Sequence, residues 1–270
     1  MKKILLLLLL LLPFSVFSQE HRPEIHCKHF LGGYPYGTPV TNDLIIRDIY
    51  ALSNNDDTKF ADWVAYRLTP DMINGAEKTR NWAKDPWLDD NETLEPYPGD
   101  HGDYDGAFAA LKTHRGHQAP LASFDGHPDW EQTNYLSNIT PQNGRLNGGV
   151  WAKIEKKVRE LCGEYAEVFV MTGPLYDGQP IGTLPGSDED HKIPTGYWKI
   201  VAVKEEGDFI NTASFIFEQQ DAGKSIEDAL VKIDKIEERS GLDFFWLFEE
   251  GKEESVESNL NREWALAKFY

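Results

Sequence analysis

The chain has 270 residues and a formal net charge of −18, from 45 acidic against 27 basic side chains. Charge of that sign repels polyanions, which counts against a nucleic-acid partner unless basic residues are concentrated locally. The length suits one large domain or two small ones, and the wide spacing of the two cysteines, Cys27 and Cys162, excludes a cysteine zinc site.

The N-terminus reads as a secretory signal. Lys2 and Lys3 precede an apolar run from Ile4 to Phe17 that contains eight consecutive leucines, and small residues near Ser18 offer a cleavage site. A membrane anchor is the other reading. The run falls short of the ~20 apolar residues that a spanning helix needs, and Pro13 interrupts it. Residues 1–18 are therefore expected to be removed. That leaves 19–270 as a single domain, secreted or periplasmic, with no stable membrane association. In an oxidising compartment Cys27 and Cys162 can pair or remain separate thiols, and the sequence leaves both open.

Asp43–Ser53 carries an apolar run around Leu44, Ile45 and Ile46. Phe60–Leu68 is rich in aromatic and branched residues and predicts a strand. Residues from about 83 to 105 are dense in Pro, Asp, Gly and Asn and read as a long exposed loop, with a sequon at Asn91-Glu92-Thr93. Val168–Thr172 predicts a short buried strand ended by Gly173-Pro174. Tyr197–Val203 and Thr212–Phe217 are two further strands, split by a polar turn at Glu205–Asp208. A first helix is expected over 146–161, from the stripe Val150, Ile154, Val158 and Leu161. A second is expected over 225–239. Ser225 and Asp228 offer a capping box, Ile226, Leu230, Ile233 and Ile236 form the stripe, and Gly241 follows the end. Strands and a few helices without regular βαβ alternation predict an α+β fold, a central antiparallel sheet flanked by helices.

Charge is unevenly placed. Acids crowd into Asp85–Asp105, Asp188–Asp190 and Glu249–Glu257. Between Asn143 and Arg159, by contrast, Arg145, Lys153, Lys156, Lys157 and Arg159 face one acid, Glu155. Such a basic helix can steer a phosphate-bearing ligand, or it can be an ordinary solvated face.

The run Thr113–Pro120 carries the most chemistry. Gly116 and Pro120 disfavour a helix, so the segment is expected to be extended, with Arg115 and His117 on one face and His114 on the other. His117 can take a proton from an attacking water, and Arg115 can hold a phosphate oxygen. A structural histidine is the plainer alternative. His114 and His117 would diverge on a strand, and a zinc site would need further ligands, with only Asp125 and His127 loosely placed. Farther on, Asn138, Gln142 and Asn147 flank the turn into the first helix. Their amide oxygens are hard ligands suited to Mg²⁺, or equally caps and turn formers. Asn138-Ile139-Thr140 is also a sequon. Glu155 follows Asn147 by eight residues, about 12 Å along a helix and about 80° around it. Direct ligation of one ion by both is awkward, so Glu155 is better suited to orienting metal-bound water. Arg159, one turn on, can pair with Glu155, and Arg80 is a further candidate phosphate contact.

Taken in order, Arg115-Gly116-His117, then Asn134-Tyr135-Leu136-Ser137-Asn138-Ile139-Thr140-Pro141-Gln142, then a helix opened near Asn147, this pattern resembles the DNA/RNA non-specific endonuclease family. The likeness runs from Thr58–Tyr66 through Thr172–Tyr176 to Ile193–Lys199, within a core of about 43–248. The resemblance implies a ββα-metal (His-Me finger) site that cuts DNA and RNA to 5′-phosphate products. It implies His117 as general base and Asn147 as the one direct ligand of Mg²⁺, for which Mn²⁺ could substitute. Glu155 would act through water, and Asn138 and Gln142 would support the metal-water cluster. Arg80, Arg115 and Arg159 would contact phosphate, and a homodimer is left open. One residue departs from the pattern: His114 stands where the family has an aspartate. That substitution keeps a second reading in play, a catalytically weak relative that binds nucleic acid or a protein partner.

Overall fold

The structure, a computed structural model, describes residues 22–97, 101–179, 181–221 and 223–270; the leader expected at 1–18 lies outside them. The strands are β1 (Asp43–Ile46), β2 (Ala51–Asn55), β3 (Phe60–Leu68), β4 (Thr113–His117), β5 (Ile139–Asn143), β6 (Val168–Leu175), β7 (Gly196–Lys204), β8 (Ile210–Glu218) and β9 (Leu230–Val231). The α-helices are α1 (Ala107–Leu111), α2 (Gly144–Leu146), α3 (Ala152–Leu161), α4 (Ile226–Ala229), α5 (Ile233–Ser240), α6 (Glu250–Ser258) and α7 (Arg262–Phe269). Seven strands form one sheet in the order β1-β2-β3-β6-β7-β8-β9, every pair antiparallel, and β4 and β5 form a separate ribbon. The expected α+β architecture is the observed one.

Helices and irregular segments cover both faces of the large sheet, which is why its central strands are apolar on both sides. Alternation along β7 sends Tyr197, Val201 and Val203 to one face and Trp198, Ile200 and Ala202 to the other. The first face packs against α3 through Ile154, Val158 and Leu161, and against α7 through Ala265 and Phe269. The second packs against α5 and α6 through Ile233, Ile236 and Val256, with Phe244 and Phe245 between them. Each such buried Val, Leu, Ile or Phe contributes about 1.5–3 kcal/mol relative to exposure, so the α3 stripe alone anchors the helix that carries Glu155.

Several elements differ from expectation. The helix expected over 225–239 is two helices, because Leu230 takes an extended conformation and pairs with Phe215 on the sheet edge. Strand β6 runs past Gly173-Pro174 to Leu175. Its pairing with β3 stops at Thr172, so Pro174, which has no N–H, withholds nothing from that side. The segment over 83–105 is partly internal. Asp85 is buried and paired with Arg47, whose guanidinium lies over the Trp87 ring, and Ser137 donates to the same carboxylate. Leu88 and Leu94 are buried as well. Cys27 and Cys162 are both free thiols. Among the described residues no helix is long and apolar enough to cross a membrane.

The ribbon is fastened to the sheet by side chains. Tyr197 Oη and Gln219 Nε2 both donate to the Pro141 carbonyl, at 2.9 and 2.7 Å, and Gln219 Oε1 accepts from the Asn143 N–H at 2.7 Å. These bonds fix β5, and through it β4, over the first face of the sheet.

Candidate active site

β4 and β5 pair Arg115 with Pro141, Gly116 with Thr140 and His117 with Ile139. The approach is close enough to demand glycine at 116, where a Cβ would lie 2.7 Å from Gln142 Cβ. α2 follows β5 directly, capped by the Asn143 side chain, which accepts from the Arg145 and Leu146 N–H groups. One wider π-helical turn, Asn147–Trp151, then leads into α3, and Gly149 inside it departs from helical geometry (φ −105°, ψ −113°). Turns of that kind recur at functional sites because they re-aim a side chain within a continuous helix. Strand, strand and helix thus bring His117, Arg115, Asn147 and Glu155 to the wall of one cleft of about 730 Å³, which Arg80, Trp82 and His114 also line.

His117 is held on two sides. Its ring lies against Trp82, with centroids 5.2 Å apart, and its Nε2 is 3.2 Å from Asn134 Oδ1. That oxygen can only accept, so Nε2 carries the proton and Nδ1 keeps its lone pair. Burial lowers the imidazole pKa to about 4; the Asn134 bond opposes that shift and the Arg80 charge adds to it. The ring is therefore neutral at pH 7, the form that can accept a proton. Arg115 donates to the His101 carbonyl at 3.1 Å and lies over the rings of Trp82 and Tyr104, at 5.0 and 5.5 Å. Arg80 is exposed at the cleft wall.

Glu155 sits across the same cleft. Burial raises its carboxyl pKa, and Lys199, Arg159 and Arg80 pull it back. Lys199 comes from the middle of β7, fully buried, its Nζ 4.5 Å from the centre of the Trp151 ring and without a hydrogen-bond partner among the described residues. Burial lowers its pKa and Glu155 opposes that. The donor set also suits a hard divalent ion. The Asn147 amide makes no side-chain hydrogen bond among the described residues and lines the cleft with Glu155. One neutral oxygen and one carboxylate, with room for water, match an ion that keeps most of its hydration shell.

Other expected site residues fall elsewhere. Asn138 is buried outside the cleft with its amide fully engaged: Nδ2 donates to the Ala119 and Thr133 carbonyls, and Oδ1 accepts from the Ala119 N–H at 2.8 Å. It clamps the segment after His117, and its sequon is not accessible in the folded chain. Gln142, on β5, is buried and outside the cleft lining. Arg159 does not line the cleft and acts on Glu155 by charge. Lys156 and Lys157 both pair with Glu160, at 3.7 and 3.3 Å, and form a solvated face. The placing of His114 behind the strand needs correction. It is exposed at the cleft wall, its ring 5.1 Å from that of Phe108. A two-stranded ribbon twists strongly, which brings both of its faces toward one cleft. No set of three metal-ligating side chains among the described residues includes His114 or His117, and His127 lies instead beside Asp48 and Asp129. Spacing along the chain assigns no role to Asn134, Lys199 or Trp82. Lys199 alone left a clear signal, a charged residue in the buried phase of an apolar strand.

Comparison with known proteins accounts for this arrangement. The model of the DNA/RNA non-specific endonuclease family matches residues 31–249. The chain is 46% identical over 205 residues to "Nuclease" of Serratia marcescens, covering 75% of this chain and 74% of the relative. It is 30% identical to "Nuclease C1" of Cunninghamella echinulata var. echinulata, covering 78% and 86%, and 29% identical to human "Endonuclease G, mitochondrial", covering 77% and 71%. The crystal structure of the EndoG/EndoGI complex shares the fold, with a TM-score of 0.61 at 23% identity over 82% of this chain and 91% of that one. By sequence over most of its length, the chain belongs to the DNA/RNA non-specific endonuclease family.

Proposed function

We propose that this chain is a secreted, Mg²⁺-dependent endonuclease that hydrolyses phosphodiester bonds in both DNA and RNA and leaves 5′-phosphates. The observation that carries the reading is the placement of His117, held by Asn134 and Trp82, in a cleft shared with two arginines, Asn147 and Glu155. His117 takes the proton from the attacking water at Nδ1, while Asn134 and Trp82 keep the ring from turning. Arg80 and Arg115 draw the phosphate into the cleft and balance charge that grows on its oxygens. Asn147 would hold Mg²⁺, or Mn²⁺ in its place, directly, and Glu155 would hold it through water. When bound, the ion supplies Lewis-acid stabilisation of the phosphate and the leaving oxygen. Lys199 and Arg159 favour the ionised form of Glu155, the form that can accept hydrogen bonds from water.

Contacts aimed at the sugar-phosphate backbone carry no base information, in keeping with poor sequence selectivity. The leader at 1–18 is the basis for proposing secretion. The test is incubation of purified protein with supercoiled plasmid and with RNA, in Mg²⁺ and in EDTA. Cleavage of both substrates in Mg²⁺ alone is expected; activity restored only by Zn²⁺, or none at all, contradicts the reading.

A further inference from the structure

α6 begins where the matched family span of residues 31–249 ends, and it packs beside α5 on the sheet face away from the cleft. Five carboxylates meet at that junction in two groups that share one residue. Asp234, Glu237 and Glu257 present oxygens that all lie within 4.8 Å of one another, and so do Asp243, Glu253 and Glu257. Oxygens on one Ca²⁺, each at about 2.3–2.6 Å, lie no more than about 5 Å apart, so either group fits a single coordination sphere.

Glu257 is the pivot. It is 8% exposed, and its Oε1 is buried with no hydrogen-bond partner among the described residues. A buried carboxylate oxygen without a donor is costly, and a cation is one way to satisfy it. The charged groups acting on Glu257 are acids, Glu237, Glu253, Asp243 and Asp234. Among the described residues no basic group pairs with Glu257, although one pairs with its neighbour Asp243. Arg22 pairs with Asp243 at 2.5 Å, Lys235 with Glu238 at 2.6 Å, and Lys252 lies over the Phe248 ring. The Phe244 N–H satisfies Glu237 Oε1 at 2.9 Å and leaves Glu257 unserved.

We propose that Glu257 and the carboxylates around it form a Ca²⁺ site that pins α6 to α5. An all-oxygen, carboxylate-rich set with adaptable spacing suits Ca²⁺. It lacks the nitrogen and sulfur ligands zinc favours, and it offers more protein ligands than Mg²⁺ takes.

The test uses the full chain, stripped with EDTA, titrated calorimetrically with CaCl₂ and separately with MgCl₂, beside thermal unfolding under the same conditions. The expected result is Ca²⁺ binding with Kd between about 10⁻⁶ and 10⁻³ M. Ca²⁺ at a hundredfold excess over Kd is expected to raise Tm by about 5–10 °C. Glu257→Gln is expected to weaken Ca²⁺ binding at least tenfold and abolish the Tm response. Glu253→Gln, on a half-buried carboxylate, gives a smaller loss and serves if the first variant does not fold. A wild-type Tm indifferent to Ca²⁺, or variants that bind Ca²⁺ as wild type does, overturns the site. Neither readout depends on cleavage, so the result is independent of the nuclease assay.

Discussion

Asn134 Oδ1 lies 3.2 Å from His117 Nε2, a contact that favours the tautomer with Nε2 protonated and Nδ1 free to act. Asn134→Ala is expected to lower kcat about 10–100-fold with little change in KM, the loss of a fixed tautomer rather than of binding. Burial holds the folded-state pKa of His117 near 4, below its ordinary 6.5. Between those values the unfolded chain binds the extra proton. This histidine therefore subtracts stability as pH falls through about 6.5 toward 4 and subtracts nothing above that window. NMR titration of the metal-free chain should place His117 well below 6.5. It should move higher in Arg80→Gln, which removes a repelling charge, and lower in Asn134→Ala. The reverse order would count against the assigned contacts.

Lys199 is the counter-charge with the largest effect on Glu155. Lys199→Met keeps most of the volume and removes the charge, so the Glu155 carboxyl pKa should rise further. The ionised form is then reached at higher pH, and the kcat profile is expected to shift to the alkaline side, with activity at pH 7 reduced about tenfold. An unshifted profile would assign Lys199 to packing alone.

His114 lines the cleft against Phe108 but makes no hydrogen bond to His117. His114→Asp restores the family residue and adds a negative charge near the phosphate path. It is expected to change kcat/KM by less than about tenfold, ~1.4 kcal/mol of barrier, mostly through KM. An inert wild type switched on by this substitution would instead favour the weak-relative reading.

The Arg47–Asp85 pair is buried, and Ser137 and the Trp87 N–H also donate to the carboxylate. Asp85→Ala leaves the guanidinium uncompensated and is expected to cost about 3–5 kcal/mol. Thermal unfolding should show a drop of about 10 °C; a drop under 2 °C would mean the loop over 83–105 is not anchored there.

Strand β3 was legible end to end, because Phe60–Leu68 concentrates the aromatic and branched residues that a sheet buried on both faces needs. The motif around His117 was legible too, since Gly116 and Pro120 forbid a helix and the ribbon reads as extended. Helix periodicity misled at Leu230. Its place in the apolar stripe suits a helix, but the open edge of β8 offered backbone partners that outweighed local propensity. Loop composition misled at Asp85, because a buried acid looks like an exposed one until its partner, Arg47, is located thirty-eight residues away. Asn138 and Gln142 were drawn toward the metal by their type, yet buried amides more often satisfy backbone, which is what Asn138 does. The roles of Asn134 and Lys199 depend on contacts between distant segments, which spacing along the chain does not encode.

The central claim is that His117 is the base. The most direct measurement is the initial rate of plasmid cleavage in Mg²⁺ by His117→Ala beside wild type, with thermal unfolding confirming that both are folded. The account predicts a loss of about 10²–10⁴-fold or more at unchanged fold. A folded His117→Ala protein that cuts at close to the wild-type rate would contradict it.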